Sequence, residues 1–455
     1  MSNGVNKVDI AGLKIDSTTK ADLLEQLAAR IKSNQKTWVT TPYSEFLHAG
    51  LMDSRVMDVL NQADFAVADG IGMFWAKKYL EIPLTAKSYW GKILQAIWQI
   101  KYSLAAILFY PKWIKSVLPE KISGSDLIWD LTKLAADNNL SVYFLGGFGD
   151  TSEIASKKIS TRINHGRDFS KYLKIAGWSN KNSADPTIID DINKTSPDIL
   201  FVAFGPIKQE KWILQNLPKL NFKLAIGLGG TFDYLAGKQP QPPQFIRKIG
   251  MEWLWRLFTQ PKRYKRIYNA TLGLASALLR YKIFLHLPYR KNVVSVVINQ
   301  KNEVFIAKFN PEKKVLRTLG YARDNYNNFW QLPQGGMEGN ENAIEAAKRE
   351  LEEETAMHSV RYLKTSEKTY SYQWEDSAQR PLFVKKRYQY RGQSQHVVYF
   401  KFFGDEKEIN LDTDELVDYK WVSLENLVTA VHPQKQQVAT IALQDLKEMQ
   451  EKAII

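Results

Sequence analysis

Glu350, Glu353 and Glu354 stand at positions i, i+3 and i+4 of the stretch NENAIEAAKRELEEETAM (340–357). Asn342 and Glu345 have the spacing of a capping box, so a helix is predicted over 342–355. On that helix the three carboxylates share one face. Packed together they repel unless a cation gathers them, and carboxylate oxygen is the ligand that Mg2+ or Mn2+ prefers. Arg349 is placed to hydrogen-bond a carboxylate and steady the array; a solvated acidic helix face is the alternative. A second candidate set lies in FAVADGIGMFWA (65–76), where Asp69 ends an apolar run directly before Gly70, Ile71 and Gly72. Ligands bind at strand ends in parallel α/β sheets, and glycines there let a backbone approach a phosphate. VYFLGGFGD (142–150) repeats the arrangement with Gly146, Gly147 and Gly149, tight turns being the alternative there.

These groups need elements to hold them. From about residue 8 to 235, short apolar runs alternate with helical patterns, and strands are predicted at 37–41, 65–68, 141–146, 172–176, 199–204 and 224–228. Apolar residues at three- and four-residue spacing predict helices over 45–62 and 126–138. The alternation predicts a Rossmann-like α/β fold, a mainly parallel sheet with helices on both faces. From about Tyr289 the composition turns β-rich (VVSVVIN, EVFIAKF, HVVYFKFF) around the acidic helix, which predicts a separate α+β domain. The expected organisation is 1–250, with an extra segment at 85–120, then a basic, aromatic, helical connector over 251–288, then 289–455.

Composition narrows the chemistry. With no cysteine among 455 residues, disulfides, thiolate zinc sites and cysteine nucleophiles are excluded. The six histidines, His48, His165, His286, His358, His396 and His432, include no metal-type pair. Lysine and arginine number 62 against 48 acids, a net charge of +14 that favours polyanionic partners such as nucleotides, RNA or an anionic membrane leaflet.

Gly335, Glu341, Arg349-Glu350-Leu351 and Glu353-Glu354 are spaced as in the Nudix box, and the C-terminal part resembles Nudix hydrolases. The resemblance implies an α/β/α sandwich and metal ligation by Glu350, Glu353 and Glu354, with one carboxylate helping to deprotonate the attacking water. YRKNVVSVVIN (289–299), FWQLPQGG (329–336) and RYQYRGQSQHVVYF (387–400) resemble the RNA pyrophosphohydrolase and dinucleoside-polyphosphate hydrolase branch. There a late glutamate, here Glu415, adds a metal ligand. Arg387, Arg391, Gln393 and Gln395 would offer donors to a nucleoside polyphosphate or an RNA 5′ end, and Tyr388 and Tyr390 a base-stacking surface. The box's late glycine is Ala356 here.

FVAFGPIKQEKWI (201–213), GLGGTFDYLAGK (227–238), GSDL (124–127) and MEWLWRLFTQPKRYKRI (251–267) resemble the bacterial N-acetylmannosaminyltransferases of teichoic-acid and enterobacterial-common-antigen synthesis, glycosyltransferase family 26. The resemblance implies inverting sugar transfer from a UDP-sugar to a polyprenyl-diphosphate-linked acceptor, with no metal required. Asp69 matches the proposed catalytic aspartate. Lys208, Gln209, Glu210, Thr231 and Asp233 match donor-binding motifs, and an arginine of the connector, Arg256 or Arg263, would meet the donor diphosphate. Two departures stand out. Tyr43 replaces a usual asparagine at the donor or acceptor, and Gln241-Pro242-Pro243 replaces Arg-Ala-Pro.

No uncharged apolar run reaches the roughly 18 residues of a membrane span, and the N-terminus lacks a signal-peptide plan. The chain is expected in the cytoplasm, peripheral on the inner face of the membrane. Aromatic and basic residues interleave at 251–267 and again at 85–120, which suits an anionic lipid surface. For 85–120, a helical hairpin buried against the core is the alternative. Self-association into a homo-oligomer stays open. So do two other readings: a nucleotide-sugar sensor joined to an active hydrolase, and an RNA-binding module.

Overall fold

The computed structural model describes residues 6–243, 246, 252–310, 328–373 and 390–455, the side chains of residues 170, 253, 256 and 262 excepted. Two compact units meet in sequence at His286 and Leu287.

The first unit opens with an antiparallel hairpin, β1 (Lys7–Ile10) and β2 (Leu13–Asp16), turned by Ala11 and Gly12 in left-handed conformations. Six parallel strands follow: β3 (Thr37–Thr40), β4 (Phe65–Ala66), β5 (Ser141–Gly146), β6 (Lys174–Ser179), β7 (Ile199–Ala203) and β8 (Leu224–Gly227). They lie in the order β4-β3-β8-β7-β5-β6. Strands buried on both faces need apolar residues at every position, and ILFVA of β7 is buried throughout. Val142, Phe144, Ile199 and Phe201 pack into the core on one face, while Tyr143, Leu145, Leu200 and Val202 pack into the core on the other.

After α1 (Lys20–Lys32), the predicted helix over 45–62 is two, α2 (Ser44–Met52) and α3 (Ser54–Asn61). Asp53 ends the first and caps the second by accepting from the Arg55 backbone N–H at 3.1 Å. α4 (Ile71–Glu81) follows Asp69 directly. Within residues 85–120 the chain forms α5 (Tyr89–Phe109) and α6 (Pro111–Lys115). α5 buries Ile93 and Ala96 against Ile283 of the helix Leu274–Leu285. The Lys282 ammonium, 1% exposed, donates to Gln99 Oε1 at 2.7 Å and to the Tyr79 carbonyl, tying three helices together. The connector comprises the helices Glu252–Thr259, Tyr264–Tyr268 and Leu274–Leu285.

The second unit is a seven-stranded mixed sheet of β9 (Tyr289–Ile298), β10 (Val304–Phe309), β11 (Trp330–Gln331), β12 (Gln334–Gly336), β13 (Val360–Gln373), β14 (Gly392–Phe402) and β15 (Leu416–Val422). The path runs β11-β10-β9-β14-β13, with β12 on β9 and β15 on β10; β9 and β14 are parallel and the rest antiparallel. The helix Ala343–Thr355 covers one face through Ala346, Ala347 and Leu351, and Gln436–Glu451 the other through Val438, Ala442 and Leu446. The chain is thus mixed α/β throughout, as expected.

Candidate functional sites

In the first unit a cavity of about 850 Å³ opens at the carboxyl ends of β3, β4 and β8. Parallel α/β sheets place ligands there because strand ends and loops converge while the helices leave a crevice. Thr41 follows β3, Asp69 follows β4, and Gly229, Gly230 and Thr231 follow β8; all line it. The Asp69 backbone N–H donates to the Pro42 carbonyl at 2.9 Å, and its carboxylate accepts from the Gly124 N–H at 3.4 Å. Gly70 holds φ +90° and starts α4, a conformation that a side chain would strain. Gly72 lies against Ser44, whose Oγ a Cβ would meet at 2.0 Å.

The motifs around 201–213 and 227–238 are joined by contact. Gln209, 3% exposed, accepts from the Gly229 N–H at 3.0 Å and donates to Glu210 Oε1 at 2.9 Å. A Cβ on Gly227 would sit 2.4 Å from Gln209 Nε2 and 2.5 Å from Glu210 Oε1, so the fully buried pair fits only against glycine. Glu210 also accepts from the Ile207 N–H at 2.7 Å, which holds a β-branched residue at φ +68°. Glu210 is a positioning residue behind the wall and Gln209 is the wall itself. Burial pushes the Glu210 carboxyl up to about 7. Its folded form therefore keeps a proton that the unfolded chain sheds near pH 4.5. Stability from this group is full below that pH and falls, by an amount of order 3 kcal/mol, as pH rises to about 7. Urea unfolding followed by tryptophan fluorescence is expected to show that falling limb, and Glu210→Gln to flatten it.

Tyr43, Glu45 and Arg266 form the opposite wall. The Tyr43 hydroxyl donates to Glu45 Oε2 at 2.6 Å; Arg266 donates to Glu45 at 3.0 Å and to the Tyr43 oxygen at 2.9 Å. Burial, with the Glu45 charge beside it, holds the Tyr43 phenol well above its ordinary range, so it acts as a neutral hydrogen-bonding group. Arg263 lines the cavity and pairs with Asp233 at 3.5 Å. With Lys121–Glu252 at 3.1 Å and Arg266–Glu45, three ion pairs fasten the connector over the strand ends.

The structure therefore brings together Tyr43, Asp69, Gly70, Gly72, Gln209, Thr231 and Arg263, with Glu210 and Asp233 behind them. Gly146 and Gly147 are not among the lining residues. Their positive φ and close approach to Ala203 and Thr151 pack β5 against β7 and the helix Thr151–Asn164, and their reading as a phosphate cradle stays a proposal. Lys208 is exposed, 3.5 Å from Asn182, and also lies outside the cavity. The Arg256 side chain is outside the described residues. Glu45 and its partnership with Arg266 were missed; a carboxylate opening α2 two residues after Tyr43 was the available signal.

In the second unit the capping box forms: Asn342 accepts from Ile344 and Glu345 N–H groups, and Glu345 accepts from the Asn342 N–H. Arg349 is the hub of the acidic face. It donates to Glu341 at 2.9 Å, to Glu350 and Glu353 at 3.0 Å each, and to the Gly336 carbonyl at 2.9 Å. Gly335 is the floor beneath Glu350, whose carboxyl carbon a Cβ would meet at 1.7 Å. Burial, opposed by Arg349 but reinforced by Glu353 and Glu415, raises the Glu350 carboxyl above its ordinary range. The donors suit a hard divalent cation in kind and in accumulated charge. Among the described residues no three acids are already gathered around one cation position, and Arg349 pairs with both Glu350 and Glu353.

Ala356 ends this helix at φ +57°. The box's glycine is thereby explained as the residue for a left-handed helix end. Ala356→Gly is expected to stabilise the protein by about 1 kcal/mol, read as an increase in urea midpoint.

Along the sheet from Glu350, Gln395 donates to Gln334 at 2.8 Å and Lys435 donates to the same oxygen at 3.0 Å. Gln393 accepts from the Tyr372 hydroxyl at 2.6 Å, and the Arg391 guanidinium lies 4.1 Å from the Tyr289 ring centre. Arg387 and Tyr388 are outside the described residues.

A doubly wound sheet with a cavity at its strand ends and a glutamate helix on a mixed sheet define a two-site chain. It belongs to the Glycosyl transferase WecG/TagA/CpsF family, which matches residues 8–105 and 105–287, and residues 288–441 match the NUDIX domain. The chain is 26% identical over 271 residues to an N-acetylglucosaminyldiphosphoundecaprenol N-acetyl-beta-D-mannosaminyltransferase of Staphylococcus aureus strain MRSA252, covering 57% of this chain and 88% of that protein. The enzyme of the same name from strain NCTC 8325 is 25% identical with the same coverage. Similar solved structures include a MutT protein from Methanosarcina mazei Go1 (16% identity, 36% of this chain, 97% of that one, TM-score 0.25). Another is a C. elegans Ap4A hydrolase binary complex (15%, 35% and 98%, TM-score 0.25).

Proposed function

We propose that the first unit transfers an N-acetylmannosamine-type sugar from a UDP-sugar to a polyprenyl-diphosphate-linked acceptor during cell-surface polysaccharide synthesis. The second unit is read as a metal-dependent pyrophosphohydrolase of nucleoside polyphosphates or 5′-triphosphorylated RNA. The observation that carries the first half is Asp69 on the wall of a cavity that also holds Gln209, Arg263 and Arg266. In the reaction the acceptor oxygen bonds to the anomeric carbon as the bond to UDP breaks. Asp69 takes the acceptor's proton. Arg263, which lines the cavity beside the Gly229–Thr231 turn, stabilises the leaving diphosphate.

In the second unit Glu350, Glu353, Glu354 and Glu415 would hold Mg2+ or Mn2+, which when bound acidifies water and offsets phosphate charge. Arg349 keeps Glu341, Glu350 and Glu353 oriented, and Gln334, Gln395 and Lys435 offer hydrogen bonds to substrate.

The exposed apolar residues support residence on a membrane surface. Trp90, Leu94 and Trp98 project from α5 at four-residue spacing, and Phe258, Tyr264 and Tyr268 from the connector. Among the described residues no helix is long and apolar enough to cross a membrane by itself; α5 and the helical stretch after it qualify only as a pair bent by 113°.

The test is incubation of the full chain with UDP-N-acetylmannosamine and a GlcNAc-diphosphoryl polyprenyl lipid. The lipid is expected to gain one N-acetylhexosamine by mass. Retained UDP-sugar binding without transfer across a panel of UDP-hexosamines would overturn this in favour of a nucleotide-sugar sensor.

A further inference from the structure

The cavity beside Asp69 does not end at polar groups. Leu104, Ile107 and Leu108 of α5 line it, facing Leu257, Ile267 and Leu272 of the connector. Leu104, Leu108, Leu257 and Leu272 are also 39%, 49%, 37% and 66% exposed, so these four form its rim rather than its floor. Exposed leucines around the mouth of a site are costly in water and need an apolar occupant. α5 carries Lys92, Gln95, Gln99 and Lys101, yet apolar side chains lie on both its buried and its exposed sides. Ile93 and Ala96 are buried against the connector, while Trp90, Leu94, Trp98, Leu108 and Phe109 are exposed. An exposed apolar cluster of this kind suits a lipid surface.

The rim is continuous with the chemistry. The same cavity holds Arg263 and Arg266 together with Asp69, and Lys101, Lys112 and Lys115 are exposed on α5 and α6. An amphiphile with a diphosphate head and an apolar tail matches this order of surfaces: head at Arg266, beside the donor's Arg263, and tail over the leucines.

We infer that α5 is one wall of an acceptor port, and that the first isoprene units of a polyprenyl diphosphate seat between Leu104–Leu108 and the connector. The inference rests on the transferase reading for its choice of lipid and adds a specificity-determining role for α5. The tail leaves the bilayer along α5 instead of remaining wholly in lipid, so the port discriminates acceptors by the length of their apolar chain.

The experiment uses the full chain in detergent micelles with a diazirine-bearing polyprenyl diphosphate and, separately, lipid acceptors of long and very short prenyl chains. Photolabel is expected on the peptide containing residues 104–108. Leu104→Glu with Leu108→Glu is expected to raise the KM for the long-chain acceptor roughly 10- to 100-fold more than that for the short one. Labelling that avoids α5, or equal losses for both acceptors, would overturn the port. A chain that transfers no sugar yet is labelled at 104–108 would sink the transferase reading and leave the port standing. Active transfer with label elsewhere would do the reverse.

Discussion

Asp69→Asn is expected to lower kcat for sugar transfer by roughly 10²- to 10⁴-fold, the range for removing a positioned general base. The substitution keeps an oxygen that accepts from the Gly124 N–H and leaves the backbone bond to Pro42 intact. The loop should therefore hold its shape, and the KM for the UDP-sugar should move little. Initial rates at saturating donor, with circular dichroism as a check on folding, separate loss of the base from loss of structure. A KM effect without a kcat effect would assign Asp69 to substrate binding.

The second large effect belongs to the other unit. Glu353→Gln is expected to reduce phosphoanhydride hydrolysis at least about 10²-fold and to shift its Mg2+ or Mn2+ dependence to higher concentration. The Glu353 side chain is 60% exposed and its ion pair with Arg349 is one of three that the arginine makes, so the fold should survive. Isothermal titration with Mn2+ supplies a readout apart from turnover. Undiminished cation affinity in the variant would remove Glu353 from the ligand set.

Much of this architecture is legible in the residues because burial writes itself into composition. TWVT, SVYFLG, ILFVA and LAIG are apolar strands flanked by turns, and β3, β5, β7 and β8 lie within a residue of the predicted ranges. The acidic helix follows from its capping box. The hairpin β1–β2 was not read, since two four-residue strands show too short an alternation, and the glycine at its turn is shared by many loops.

The candidate sites were legible where chemistry sits next to a strand end, as at Asp69, and illegible where it is assembled over distance. Glu45 and Arg266 are 221 positions apart, and no local pattern pairs them. At Gly146 and Gly147 the sequence leaves the role open. A glycine that admits a phosphate and one that admits a neighbouring strand or helix look alike, and here Ala203 lies against Gly146 and Thr151 against Gly147. Close packing likewise makes Gly227, within the predicted strand 224–228, the reason Gln209 and Glu210 fit beneath the cavity.

We propose that two separate chemistries share one chain, each answering to its own carboxylate. One preparation each of the full-length protein, Asp69→Asn and Glu353→Gln, assayed for both lipid-linked sugar transfer and metal-dependent nucleotide hydrolysis, tests it most directly. The expected pattern is a crossed one: Asp69→Asn loses transfer and retains hydrolysis, and Glu353→Gln does the opposite. Transfer that persists at the wild-type rate in Asp69→Asn, or both activities falling together in either variant, would contradict it.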